Sequence, residues 1–229
     1  NGQPCQVRLL TYLDGVPLTS RKFLPEATVA ALGRVCGQTA KGLESFRHPG
    51  LDRQIQWDLR QAVPMATALI AAVPDTQKRA AIIAVLGAAE ERIKPLSPAF
   101  RSQAIHQDIT DDNIVSSPDA EGRPIPKGVI DFGDLMGGWL VADLAVCCAS
   151  LLHHAGGDPF FILPAVRAFH AAHPLNAAEA EALARAHEAG LQRLLAAVEP
   201  LTLVDGIDTE ALLAGNLVSG MIDALDPTA

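Results

Sequence analysis

Aromatic residues are scarce in this chain, at 4% of 229 positions, although hydrophobic residues as a whole reach 49%. A core must therefore be built from Ala, Leu, Val and Ile, and because Ala and Leu are the strongest helix formers the composition points to helices. Positive charge is also in short supply. The net charge of −8 and the lack of any Lys/Arg run exclude a surface made for non-specific nucleic-acid binding. The longest strongly apolar run, Ala145–Leu152, falls far short of the roughly 20 residues that crossing a bilayer takes, so no membrane partner is expected. Residues 1–20 lack the basic start and apolar block of a secretory signal. The cysteines Cys5, Cys36, Cys147 and Cys148 form no C-x-x-C spacing, and read as buried reduced thiols of a cytoplasmic protein. A starting methionine is missing too: Asn1 is followed almost at once by strand-like sequence, so a fragment of something longer is expected.

What is present falls into three stretches. Residues 6–13 (QVRLLTYL) predict a strand that ends in a turn at Asp14–Gly15. Residues 25–42 predict a helix opened by Pro25, with Val29, Leu32 and Val35 on one face. After a polar connection at 44–53, a short helix is expected at 54–62 and another from Pro64 to Val73. Asp75 then caps a helix over 76–93, whose buried face would be Ile82, Ile83, Val85 and Leu86. The pattern changes to short strands at 102–106, 113–117 and 127–132, followed by a glycine corner at Gly137–Gly138. Helices are predicted at about 140–154, 159–172 and 177–198. The last starts from a capping box in which Asn176 precedes Glu179 by three residues. One more helix, from about Thr209, would end the chain.

The chemistry concentrates in the short strands. His106-Gln107-Asp108-Ile109-Thr110-Asp111-Asp112-Asn113 has the spacing H-x-D-x-x-x-x-N, and Asp131-Phe132-Gly133 begins eighteen positions after Asn113. That order, on a loop and then at a strand end, is the catalytic arrangement of kinases. Phosphoryl transfer needs groups that position the reactants and neutralise phosphate charge. Asp108 is placed to orient an acceptor hydroxyl and take its proton. Asn113 and Asp131 offer the hard oxygens that Mg²⁺ prefers. His106 reads as a brace of the loop, Asp111 and Asp112 as solvated acids, and Asp143 as a structural anchor or helix cap. His153, His154, His170 and His173 show no carboxylate at ligand spacing in the sequence and read as packing or surface residues.

The stretches HQDITDDNIV and GVIDFGDLMGGWLVADLAV resemble the aminoglycoside phosphotransferase/choline kinase family of small-molecule kinases, and within it the hydroxylysine kinase branch. That resemblance implies an α+β, mainly α fold: the C-terminal lobe of a protein-kinase-like enzyme, with helices around a small cluster of strands. Members usually read H-G-D where this chain has Gln107. It further implies that residues 1–20 are a hinge strand and linker and that 21–229 form the lobe. On that reading Leu10, Thr11, Tyr12 and Leu13 contact the base of ATP or GTP, and Asp134, Trp57 and Trp139 line the site of a small amine or amino-acid acceptor. The glycine-rich strand pair and lysine of the N-terminal lobe are not recognisable before residue 25, so the resemblance implies a lobe missing or supplied by a fused domain, and an isolated chain with little activity. Two other readings stay open: a non-catalytic kinase-like binding module, and a metal-dependent hydrolase built on the same carboxylates.

Overall fold

The computed structural model describes residues 9–183 except Gly157 and Pro159. Cys5, the helix expected from Thr209 and everything past residue 183 of the helix expected at 177–198 lie outside the described residues. In chain order the elements are β1 (Val16–Pro17), α1 (Glu26–Leu43), α2 (Ala62–Leu69), α3 (Thr76–Ile93), β2 (Ser102–Ile105), β3 (Ile114–Pro118), β4 (Pro124–Val129), β5 (Met136–Trp139), α4 (Leu140–Leu151) and α5 (Leu163–Ala172). A further helical stretch covers 177–183. This is the mainly helical α+β arrangement that the composition and the resemblance lead one to expect. No described helix is long and apolar enough to cross a membrane.

The main core lies between α1, α4 and α5. Val29, Leu32, Cys36 and Ala40 of α1 pack with Leu140, Leu144 and Leu151 of α4 and with Ala165, Val166 and Phe169 of α5. With so few aromatics, density comes from backbone proximity. A Cβ on Gly33 would lie 2.0 Å from the carbonyl oxygen of Ala165 and 2.4 Å from its Cα, and one on Gly37 would lie 2.9 Å from the oxygen of Phe169. α1 and α5 therefore touch backbone to backbone. Cys36, Cys147 and Cys148 are buried in the same region without disulfides, and burial pushes the thiols of Cys36 and Cys148 well up.

Two small antiparallel sheets sit on this helical body. One has the order β1-β3-β4, the other pairs β2 with β5. The β3–β4 hairpin sets Ile114 opposite Val129, with a bulge between Val115 and Ser116. The tight approach of β1 to β3 rests on Gly15, where a Cβ would meet the oxygen of Ser116 at 2.5 Å. Leu18 and Leu24 are fully buried just beyond. At the other end, Asn176 and Glu179 close the expected capping box: Asn176 N–H donates to Glu179 Oε2 at 2.9 Å, and Glu179 N–H to Asn176 Oδ1 at 2.9 Å. The buried Glu179 also takes Arg101 Nη2 at 2.6 Å, which ties the entry of β2 to that helix.

Several expectations need correction. Residues 9–13 form no strand, and Leu10 and Tyr12 stand in solvent. A ladder needs a partner, and none runs beside them among the described residues. Helical residues in 54–73 begin only with a 3-10 turn at Leu59–Gln61, after the segment around Trp57. α3 starts at Asp75 as expected, its carboxylate accepting from Gln77 N–H and Lys78 N–H. Its expected face is not buried, however: Ile82 and Ile83 are exposed, Val85 and Leu86 half-buried. α3 lies against α2 and the turn at 70–72, away from the main core. Gly137 and Gly138 are not a corner but belong to β5. Glycine carries no strand propensity of its own, yet a Cβ on Gly138 would stand 2.4 Å from Ile105 Cδ1, so the small residue is what lets β5 pack on β2.

The Gly33 contact gives a direct test. G33A should separate α1 from α5 and cost about 1–3 kcal/mol, the usual penalty for overpacking. A urea-denaturation midpoint equal to wild type would show that the crossing is looser than described.

Candidate functional site

The polar loop 106–113 joins β2 to β3, and its shape is imposed from below. Asp143, in the first turn of α4, is fully buried. Its two oxygens accept from consecutive backbone groups, His106 N–H at 3.1 Å and Gln107 N–H at 2.7 Å. No cation faces it among its bonded partners. Burial pushes its carboxyl up to about 6 in spite of the two donors. The anchor recognised in sequence is thus an anchor of the loop.

His106, also fully buried, joins the loop to the strand end carrying Asp131. Its Nδ1 accepts from Asp108 N–H at 3.3 Å, which leaves Nε2–H to donate to the carbonyl of Ile130 at 3.1 Å. Its ring meets Phe132 edge-on, with centroids 4.6 Å apart. Burial lowers its pKa, while the nearby carboxylates of Asp108, Asp131 and Asp134 act to raise it. The imidazole is a neutral brace, as the motif suggested.

Three of the sequence-predicted residues come together above it. Asn113 Nδ2 donates to the backbone oxygen of Asp108 at 2.9 Å and to its Oδ2 at 2.8 Å. Ile130 N–H donates to the carbonyl of Asn113 at 2.9 Å, so Ile130 stands across the hairpin from Asn113 and Asp131 follows directly after it. Asp131 has left-handed angles (φ 59°, ψ 69°), and its Oδ1 accepts from Gly133 N–H at 3.1 Å. Aspartate tolerates this conformation better than most residues because of such a local bond. Asn113 thus spends its NH₂ on Asp108 and keeps Oδ1 for another partner, while Asp131 keeps Oδ2. Two exposed or half-buried hard oxygens, one anionic and one neutral, suit a Mg²⁺ ion that retains several waters.

Gln107 departs most from what its neighbours would predict. Its φ is +72°, a region that costs a residue with a Cβ about 1–2 kcal/mol. The side chain is 3% exposed. Its Nε2 donates to the carbonyl of Trp57 at 2.8 Å, and its Oε1 has no hydrogen-bond partner. The loop is thereby tethered to the segment before α2. In that segment the Trp57 ring is 61% exposed, whereas Asp58 is buried, caps the 3-10 turn and holds Arg60 Nη2 at 2.8 Å.

The other predicted residues are more dispersed. Asp134 lies in the 3-10 turn that follows Asp131, beside Gly133, whose carbonyl accepts from Arg53 Nη2 at 2.6 Å. Trp139 is paired with Ser102, at the end of the β2–β5 ladder away from the loop, and meets Phe100 edge-on at 5.3 Å. Leu10, Thr11 and Tyr12 are exposed, and the Leu13 side chain rests on Gly128 of β4. An open groove of about 580 Å³ runs between Phe46, Arg47, His48, Asp52 and Arg60 on one side and Gln103, Ala104 and Gly137 on the other. No residue of the 106–113 loop lines it. Asp112 is exposed as expected, but Asp111 is not solvated: it is 3% exposed and faces two histidines. Only a contact between residues more than forty positions apart reveals this, so nothing local in the sequence signals it.

Comparison with known proteins gives a consistent picture. Residues 1–193 match the sequence pattern of the phosphotransferase enzyme family. The hydroxylysine kinase of Mus musculus is 28% identical over 186 residues, covering 77% of this chain and 49% of that protein. The chain therefore spans about half the length of the curated relatives it matches. Among solved structures, the aminoglycoside phosphotransferase APH(3'')-Id of Streptomyces rimosus superimposes with a TM-score of 0.50 at 19% identity, covering 79% of this chain and 66% of that one. The GDP and kanamycin complex of APH(2")-IIia does so with a TM-score of 0.52 at 15% identity, covering 93% and 67%. At these identities the two structures speak to the fold alone.

The Asp143 anchor carries a pH signature. Unfolded, its carboxyl loses its proton near the ordinary 3.8, and folded only near 6. Between those values the folded state binds more protons, so this group's contribution to stability falls as pH rises and is constant above about 6. D143N removes that component. The difference in unfolding free energy between wild type and D143N, measured in urea, should shift against wild type by on the order of 3 kcal/mol between about pH 4 and 7. A difference independent of pH would refute the assignment.

Proposed function

We propose, from the premise that this chain belongs to the phosphotransferase enzyme family, that it is the catalytic part of a small-molecule kinase. The reaction is transfer of the terminal phosphoryl group of ATP or GTP to a hydroxyl of a small amine or amino-acid-like acceptor. The observation that carries this reading is the convergence of Asp108, Asn113 and Asp131, joined by the Asn113 amide and the Ile130–Asn113 backbone bond.

In this reading Asp108 accepts a hydrogen bond from the acceptor hydroxyl, aims it, and takes its proton as the oxygen bonds to phosphorus. The Asn113 amide fixes the Asp108 carboxylate through Oδ2, leaving Oδ1 of Asp108 for the hydroxyl. Asn113 Oδ1 and Asp131 Oδ2 would hold Mg²⁺, which when bound neutralises charge on the phosphate oxygens. Asp143 and His106 carry no reacting proton; they keep the loop in register. Leu10, Thr11 and Tyr12 are exposed and free to lie along the nucleotide base, with Leu13 seated on Gly128 beside them. Asp134 supplies a carboxylate for an acceptor ammonium, a charge-assisted pairing, and the exposed Trp57, tethered to the loop through its carbonyl, offers a flat apolar ring. Trp139, at the far end of its ladder, packs against the small core of Ile105, Met136 and Ala142. An amine-bearing acceptor agrees with the relatives, which are hydroxylysine kinases, and with the fold neighbour solved with kanamycin. Nucleotide use agrees with the GDP bound in the kanamycin complex.

The test is D108N in the full-length protein, assayed by phosphoryl transfer from ATP and from GTP to hydroxylysine. Turnover should fall by about 10²–10⁴-fold, with nucleotide affinity within about twofold of wild type, since Asp108 touches the acceptor and not the nucleotide. Unchanged turnover would overturn the base assignment. Nucleotide binding without transfer in wild type, to any amino alcohol tried, would favour the binding-module reading.

A further inference from the structure

Asp111, in the last turn of the 106–113 loop, meets the residues that follow α4. Its Oδ2 lies 3.0 Å from Nε2 of His154 and 3.3 Å from Nε2 of His153. The two rings lie with centroids 3.8 Å apart, tilted by 39°, and these imidazoles, neighbours in sequence, present the same nitrogen to one oxygen. The three ligand atoms all lie within 4.8 Å of one another. Asp111 and His154 are buried and His153 is 58% exposed on its side chain. Nδ1 of His154 is buried with no partner, so the polar anchoring of that ring rests wholly on its Nε2 side.

Hydrogen bonds alone would require two N–H donors crowded on a single carboxylate oxygen. A small divalent cation suits the same three atoms. Bonds of about 2.0–2.1 Å at tetrahedral angles put ligand atoms about 3.3–3.4 Å apart, close to the two oxygen–nitrogen separations of 3.0 and 3.3 Å. Two imidazole nitrogens and one carboxylate oxygen select a borderline ion over Mg²⁺, which sets this cluster apart from the all-oxygen pair Asn113 and Asp131. The exposed flank at His153 gives an entry path and room for a water in the fourth position. We infer that Asp111, His153 and His154 form a binding site for a borderline divalent cation of the Zn²⁺ type, which pins the end of the loop to the end of α4. Asp143 holds the beginning of the same loop, so α4 and the turn that follows it grip the loop at both ends.

The experiment uses tag-free protein stripped with a chelator, titrated with Zn²⁺ by calorimetry and with Co²⁺ by visible absorption. Wild type should bind one Zn²⁺ per chain, with intense four-coordinate bands from Co²⁺. Zn²⁺ should also raise the melting temperature, because it binds only the folded arrangement. H153A, whose exposed ring carries little packing, should weaken binding by at least about 100-fold and lose the melting shift, since even loss of a partner that only orients a ligand costs about 10–100-fold. H48A, as a surface-histidine control, and D131N should bind Zn²⁺ within about twofold of wild type if the site is where the ligand set places it. D111N gives a second variant on the carboxylate. No saturable binding in wild type, or binding unaltered in H153A, overturns the inference. Intact zinc binding in D131N together with lost phosphoryl transfer separates this site from the proposed catalytic one, because either can fail alone.

Discussion

The two hydrogen bonds accepted by Asp143 set the geometry of everything above them. A buried carboxylate held by two neutral N–H groups is costly, and burial pushes its pKa up to about 6. In return it fixes the directions of two consecutive peptide groups, and a carboxylate with two oxygens is the smallest side chain that can do so. Gln107 takes left-handed angles, and Asp108 follows half-buried, its carboxylate held by Asn113. The anchor works only because α4 is itself immobile, wedged against α1 and α5 by Leu140, Leu144 and Leu151. Backbone contact at Gly33 and Gly37 therefore bears on a carboxylate carried by the helix packed against α1.

A second constraint acts from the strand side. The β3–β4 hairpin is short, but its pairing of Ile114 with Val129 and the bond from Ile130 to Asn113 bring the two motif halves together across eighteen residues of chain. His106 spans the two constraints, bonded to the loop on one nitrogen and to the hairpin on the other. The polar residues are thus held by crossing supports on rigid elements, a condition for side chains that must keep their spacing to within fractions of an ångström.

Features with local causes were legible in the sequence. Asp75 capping α3, the Asn176–Glu179 box, and the order of the two motifs each depend on residues a few positions apart, or on a spacing that a hairpin satisfies. Features decided by distant partners were not. Asp111 looks like its neighbour Asp112 in sequence, and only the arrival of the histidines after α4 distinguishes them. Gly137 and Gly138 mark a turn by composition, and only the Ile105 side chain opposite reveals a strand. The apolar side chains of α3 suggested a buried face, but burial depends on what lies alongside, and the main core is elsewhere. The stretch at 9–13 has strand-forming residues and no neighbouring strand among the described residues.

The tether between Gln107 and the Trp57 carbonyl also bears on how this chain can vary. Glycine at 107 would relieve the backbone, but would release the peptide at 57 and empty the space the amide fills. A rearranged peptide at 57 would leave both ends of a buried amide unmatched, where one is unmatched already. Neither position can drift far by itself. Residue 107 and the segment before α2, separated by fifty positions, form one heritable unit, in which a change at one end selects the change at the other.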